Sequence, residues 1–219
     1  MKTTDIFPAD YFRRDDESND AEFYAMPRLV VHIDDPAIEA LTTCYADTLP
    51  QNGSILDLMS SWRSHLPIDL LTPKRVVGLG MNAQEMLNNP AITDGDIWVH
   101  DLNSNPTLPF ADGEFDAVVC SVSVQYLIQP LEVFAEVYRV LKLGGRFIVS
   151  YSNRCFPQKA TAVWQSTTDA QHAQMVVSYF QNSAEWGQVA ARIKSTETGA
   201  PADGDPLYVL WAEKPNLGD

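Results

Sequence analysis

Short, continuous apolar runs recur along the chain at 54–59, 75–80, 97–102, 115–123 and 146–152, and polar or helix-length stretches separate them. Runs of this length without polar alternation read as strands buried on both faces. Helical connections between them predict a parallel sheet covered on both sides. Asp35-Pro36 predicts a helix start, with the aspartate as N-cap and proline at the first helical position. Ile38, Leu41, Tyr45 and Leu49 keep its apolar face, and Pro50 to Gly53 end it. Pro130 opens another helix, with Leu131, Phe134, Tyr138 and Leu141 as its buried stripe and Gly144-Gly145 as its stop. A further helix is expected within 160–180. Residues 189–196 and 207–213 read as strands joined by TETGAPADGDP, too short a link for a parallel crossover, so an antiparallel pair at a sheet edge is expected. Residues 1–34 form an arm or lid, in which aromatic Tyr11, Phe12, Phe23 and Tyr24 flank the polar stretch 15–20. Residues 35–219 form the domain.

Composition narrows the partners. Lys and Arg total 15 against 29 Asp and Glu, a formal charge of −14, so a phosphate backbone is repelled and nucleic acid is not expected. With 45% hydrophobic residues the chain can bury a core. Cys44, Cys120 and Cys155 form no CxxC pair, which fits a reduced, cytoplasmic setting. No apolar run reaches the ~20 residues of a membrane span. The polar, acidic start MKTTDIFPAD is unlike a targeting peptide.

The first strand carries the main question. GSILDLMSSWRSHLP places Asp57 at a strand's carboxyl end, where open α/β sheets bind ligands, yet the turn that follows has no glycine. Downstream, LPFADGEFDAVVCSVSVQYLIQP, a helix, and then RVLKLGGRFIVS succeed one another in a fairly specific order and spacing. With these pieces the chain resembles the class I S-adenosylmethionine-dependent methyltransferases (type 11-like), over roughly residues 35–215. The resemblance implies a Rossmann-like α/β fold: a seven-stranded, mostly parallel sheet with an antiparallel last strand and helices on both faces. It also implies S-adenosylmethionine as cofactor.

The departures are local. Where the family has an Asp-Leu-Gly-x-Gly-x-Gly type loop, this chain has Asp57-Leu58-Met59-Ser60-Ser61-Trp62-Arg63. Where the second strand normally ends in a ribose-binding acid stands Gly80. The spacing between the two landmarks is kept, which reads as substitution in place. Pro67 falls where the first crossover helix should be in mid-course, so residues 61–74 are expected to hold no helix beyond about two turns. Asp57 suits a ligand ammonium, and Ser60 and Ser61 offer hydroxyls. Arg63 can pair with a carboxylate. Asn82 is either a helix N-cap or the neutral replacement for the ribose acid. By the resemblance, Asp101 and Leu102 meet the adenine.

Also by the resemblance, Val122, Gln125 and Tyr126 after the fourth strand face the methyl group and substrate. Asn153 and Arg154 follow the fifth strand, and Tyr24, Arg28 and His32 of the arm can close over the acceptor. Cys155 reads as a buried small apolar residue rather than a nucleophile. His32, His65, His100 and His172 are too scattered for a metal site. The absence of G-x-G-x-x-G disfavours a nicotinamide enzyme. The expected function is methyl transfer to a small-molecule acceptor. The alternative is a non-catalytic binding or regulatory protein on the same scaffold. Oligomeric state, the acceptor and any catalytic base are not legible.

Overall fold

The computed structural model describes residues 2–194 and 204–216. Seven strands, β1 (Ser54–Leu58), β2 (Arg75–Gly80), β3 (Ile97–Val99), β4 (Phe115–Ser121), β5 (Leu141–Tyr151), β6 (Ala190–Lys194) and β7 (Leu207–Glu213), form one sheet in the order β3-β2-β1-β4-β5-β7-β6. The first five are parallel. β7 inserts antiparallel between β5 and β6, so the expected antiparallel pair is present, with β6 at the edge. Most of the link between them, 196–203, lies outside the described residues.

Among the described residues the α-helices are α1 (Thr3–Ile6), α2 (Asp20–Phe23), α3 (Asp35–Thr48), α4 (Ile68–Leu71), α5 (Ala83–Leu87), α6 (Pro130–Val140), α7 (Ala162–Gln165) and α8 (Asp169–Ser183). Side chains alternate across each strand, so Leu56 and Leu58 of β1 enter the core shared with α6 and α8, while Ile55 enters the one shared with α3. Both faces are dry, as uninterrupted apolar strands require. Among the described residues no helix is long and apolar enough to cross a membrane.

Four sequence expectations need correcting. The cap of α3 is Asp34, whose carboxylate accepts from Ala37 N; Asp35 is already helical, and Pro36 sits one position later than expected. Gly144-Gly145 does not stop α6, which ends at Val140; instead the pair lies inside β5, where Gly144 (φ +73°) supports a bulge against β4. Accordingly Leu141 begins that strand rather than ending the helical stripe. The helix expected within 160–180 is two helices, α7 and α8, separated by a short turn that ends at Thr168, which forms a capping box with Gln171 in the first turn of α8. Pro67 acts as foreseen: it caps the one-turn α4, the only helical turn in the first crossover.

The arm crosses the carboxyl edge of the sheet. Phe7 and Phe12 pack edge-on and tilted against Tyr179, and Thr3 bonds Glu132 of α6. Arg14 and Lys159, both almost fully buried, converge on the buried Asp20 carboxylate at 2.8 Å and 3.0 Å. Lys159 also donates to the Ser18 carbonyl. A buried cation survives only with such partners, so this cluster fixes the arm on the loop that follows β5.

Candidate functional site

A cavity of about 530 Å³ opens at the carboxyl ends of β1, β2 and β4, roofed by residues 20–34 of the arm. Of these strand ends, the turns after β1 and β4 are left-handed without glycine: Met59 has φ +58° and Val122 φ +52°. A β-branched residue there is held at a cost of order 1–3 kcal/mol, which the surroundings must outweigh. Met59 thus takes a backbone conformation that favours glycine, although the loop has none, and a glycine stands instead on the neighbouring strand at position 80. Ser60 N donates to Leu79 O at 2.8 Å, and a Cβ at position 80 would lie 2.1 Å from Ser60 O. Gly80 therefore leaves room for the loop. No acid can stand at that strand end while the loop lies there.

Asp57 is buried, and its Oδ2 accepts from the hydroxyls of Ser60 and Ser64. Burial pushes its pKa up to about 6, although the two hydroxyls pull it down. Ser64 continues to Asn89 Nδ2 at 2.8 Å, and the same nitrogen donates to Ser61 O at 2.9 Å. Ser61 Oγ then donates to Glu85 Oε2 at 2.7 Å, and Glu85 Oε1 accepts the main-chain N–H of Arg28 at 2.7 Å. One polar chain thus runs from β1 to the arm.

Glu85 was missed in the sequence. It lies in the first turn of α5, three residues after the capping Asn82, where a carboxylate usually bonds back to the cap. Here it turns to the loop and the arm instead. The only signal available was an acid next to a strand end that lacks one.

Asn82 does not have a free amide for a ribose. Its Oδ1 caps α5 by accepting from Glu85 N, and its Nδ2 donates to Tyr24 O and Ala25 O of the arm. Asp101 lines the cavity, but its carboxylate accepts from Asn103 N, Ser104 N and Ser104 Oγ, holding its own turn. Gln125 is buried beside the site rather than in it: Nε2 bonds Val122 O, and it does not line the cavity. Asn153 is exposed and points elsewhere than the cavity. Cys155 is exposed on the cavity wall, not buried, because the chain after β5 turns outward there.

The remaining expected residues meet at the cavity: Met59, Ser60, Ser61, Arg63, Leu102, Val122, Tyr24, Arg28, His32, Tyr126 and Arg154. Tyr126 stacks on Phe156 (centroids 6.1 Å apart) and accepts Phe156 N at 2.8 Å. Arg154 is tied to Asp205. Burial lowers the pKa of His32, and burial with the nearby Arg63 charge lowers His65 to about 4, so both rings are neutral near pH 7. Among the described residues no three His, Cys, Asp or Glu side chains gather as metal ligands would.

The family model "Methyltransferase domain" matches residues 68–149, the stretch from α4 through most of β5. The chain is 29% identical over 126 residues to the demethylmenaquinone methyltransferase of Lactiplantibacillus plantarum, a match covering 53% of this chain and about half (52%) of that protein. Among solved structures, a SAM-dependent methyltransferase from Aquifex aeolicus superposes with a TM-score of 0.55 at 12% identity, covering 89% of this chain and 97% of the other. The [4+2]-cyclase SpnF superposes at 0.57 and 15% identity, covering 81% and 80%. At such identities the structural likeness shows the fold. The domain match and the strand order agree with that fold, and the sequence likeness to methyltransferases is strongest in residues 68–149.

Proposed function

We propose that the chain binds S-adenosylmethionine in the cavity under the arm and transfers its methyl group to a small-molecule acceptor. The observation that carries this reading is the cavity itself. It has the volume of a small-ligand site, lies at the strand ends where open α/β sheets bind ligands, and is partly roofed by the arm. The residues present fit the cofactor's charges. Asp57 receives the ammonium, which would draw its pKa back down. Arg63, on the same loop, receives the carboxylate. Glu85 has lone pairs left beyond its two bonds and takes the place of the strand-end acid toward the ribose hydroxyls. Leu102 lies against the adenine. When bound, the cofactor supplies an electrophilic methyl on a sulfonium. What the chain must add is alignment and dryness: the arm, residues 1–34, acts as the lid, with Tyr24, Tyr126 and Phe156 walling the acceptor side. The setting we assign is the cytoplasm, in keeping with three unpaired cysteines.

Calorimetry with S-adenosylmethionine and S-adenosylhomocysteine tests this. Saturable one-site binding is expected. Asp57→Ala should weaken it tenfold or more, since a buried charge-assisted contact is worth about 1.5–3 kcal/mol. Asp101→Ala should cost less, because that carboxylate serves its own turn.

A second reading, a non-catalytic protein on this scaffold, draws on one observation. The arm's main chain already occupies polar groups of Asn82 and Glu85 that a ligand could use. That the same fold also occurs in a [4+2]-cyclase is a reminder that fold does not fix reaction. No binding of either ligand by the full chain would favour this second reading.

A further inference from the structure

The chain has nine arginines, and seven of them have an acidic partner: Arg13, Arg14, Arg75, Arg139, Arg146, Arg154 and Arg192. The other two, Arg28 and Arg63, have no ion pair among the described residues, and both line the cavity. In a chain with 29 acids, a half-buried arginine does not lack a counter-ion for want of candidates. Arg63 lies exposed at the rim, its guanidinium 4.4 Å from the Trp62 ring centre, where water serves it. Arg28 is different. It is boxed by Phe23 at 4.6 Å and Phe156 at 5.5 Å, and its Nη2 donates to Phe23 O. Its Nη1 is shielded from solvent and has no hydrogen-bond partner. Glu85 holds the main-chain N–H of Arg28, not its guanidinium. An orphaned charged donor is costly unless a ligand completes it.

We propose that Arg28 and Arg63 are two anion receptors of this cavity, and that the methyl acceptor is therefore a carboxylic acid. The inference rests on the function proposed above, because the methyl donor brings one carboxylate. Arg63, on the loop after β1, takes that one, and Arg28, on the roof, takes a second that only the acceptor can supply. A carboxylate fits better than a phosphate: Asp20, Asp57 and Glu85 face the same space and oppose a dianion, while a single planar acid matches the guanidinium edge. The rings beside Arg28 favour a flat, aromatic acid.

The test titrates benzoate, cinnamate and indole-3-acetate, each against its primary amide, into full-length protein saturated with S-adenosylhomocysteine. At least one acid should bind tenfold or more tighter than its amide. Arg28→Met should bring that ratio to near one, with Arg28→Lys retaining part of it, while S-adenosylhomocysteine affinity changes less than threefold. Arg63→Met should weaken S-adenosylhomocysteine at least fivefold but leave 5′-methylthioadenosine, which lacks the carboxylate, unaffected. Thermal melts check folding. If Arg28→Met is unfolded, a reduced ratio in Arg28→Lys decides. A ratio near one for every acid, or a ratio that Arg28 variants leave unchanged, overturns the proposal. So does Arg28→Met weakening S-adenosylhomocysteine more than Arg63→Met does, which would assign Arg28 to the donor. Failure of S-adenosylhomocysteine to bind the parent protein defeats the proposed function instead, and the acid-to-amide ratio on the free protein then judges Arg28 alone.

Discussion

Between Phe115 and Tyr151 the chain closes a strand–helix–strand unit with an almost wholly apolar interior. Leu131, Val133, Phe134, Val137 and Val140 of α6 are fully buried, and Phe134 meets Phe147, Tyr179 and Phe180 at 4.8–5.6 Å. The neighbouring unit from β1 to α5 is built otherwise. Its crossover helix is a single turn, and Asp57, Ser60, Ser64, Asn82, Glu85 and Asn89 are buried there in one hydrogen-bonded chain. The interior of the first unit is stabilised by removing apolar area from water, and only its strand end, at Ser121 to Ser123 and Tyr126, reaches the cavity. The second is stabilised by polar groups, most of which face the cavity, and its geometry depends on the arm. Under the proposed function, stability rests chiefly on the first half and ligand binding chiefly on the second.

If so, the two halves should respond differently to mutation. Phe134→Ala should cost about 3–5 kcal/mol in urea unfolding, as deletion of a buried ring does, yet leave the ligand affinity of the folded fraction unchanged. Lys159→Met should cost about 3 kcal/mol, the lower end for breaking a buried ion pair because Arg14 still serves Asp20. It should also weaken ligand binding, since the arm loses its anchor. Gly80→Asp, which puts an acid at the strand end where the resemblance calls for one, should fail as a repair. Its Cβ meets Ser60 O, so it should destabilise by about 1–3 kcal/mol and lower affinity for S-adenosylhomocysteine. Improved affinity in Gly80→Asp would sink the account of the loop.

The smallest effect is in pH dependence. Asp57, raised to about 6 by burial, binds its proton more tightly folded than unfolded, so its contribution grows more favourable as pH falls from 6 toward 4. His65, lowered to about 4 by burial, works in the opposite sense: its contribution is full above the unfolded value of 6.5 and is lost as pH falls toward 4. The two slopes oppose each other. Asp57→Asn should therefore lose stability between pH 6 and 4 faster than the parent protein, by up to about 1 kcal/mol per pH unit. Equal pH profiles would mean that Asp57 is not buried as described.

Most of the sheet was legible because burial on both faces writes itself as unbroken apolar runs. Pro67 was equally clear, since proline's missing donor has only one consequence inside a helix. The place of Asp57 on the cavity was legible because backbone position decides it at a strand end. Hydrogen-bond partners were not legible where a side chain had two choices. Asn82 could cap or bind, and the arm, whose path no local pattern encodes, settled it as a cap. Gln125 and Asn153 sat in the right turns but rotate away from the cavity. Glu85 was overlooked because an acid in a helix's first turn has an ordinary reason to be there.

The central claim is that ligand binding belongs to the polar half and its roof. Hydrogen exchange of the full chain with and without saturating S-adenosylhomocysteine tests it directly. The account predicts added protection in peptides covering 24–32, 57–63 and 80–86, with α6 and β7 unchanged. Protection confined to α6, β5 or β7, or no change in the arm and the β1 loop under saturation, would contradict it.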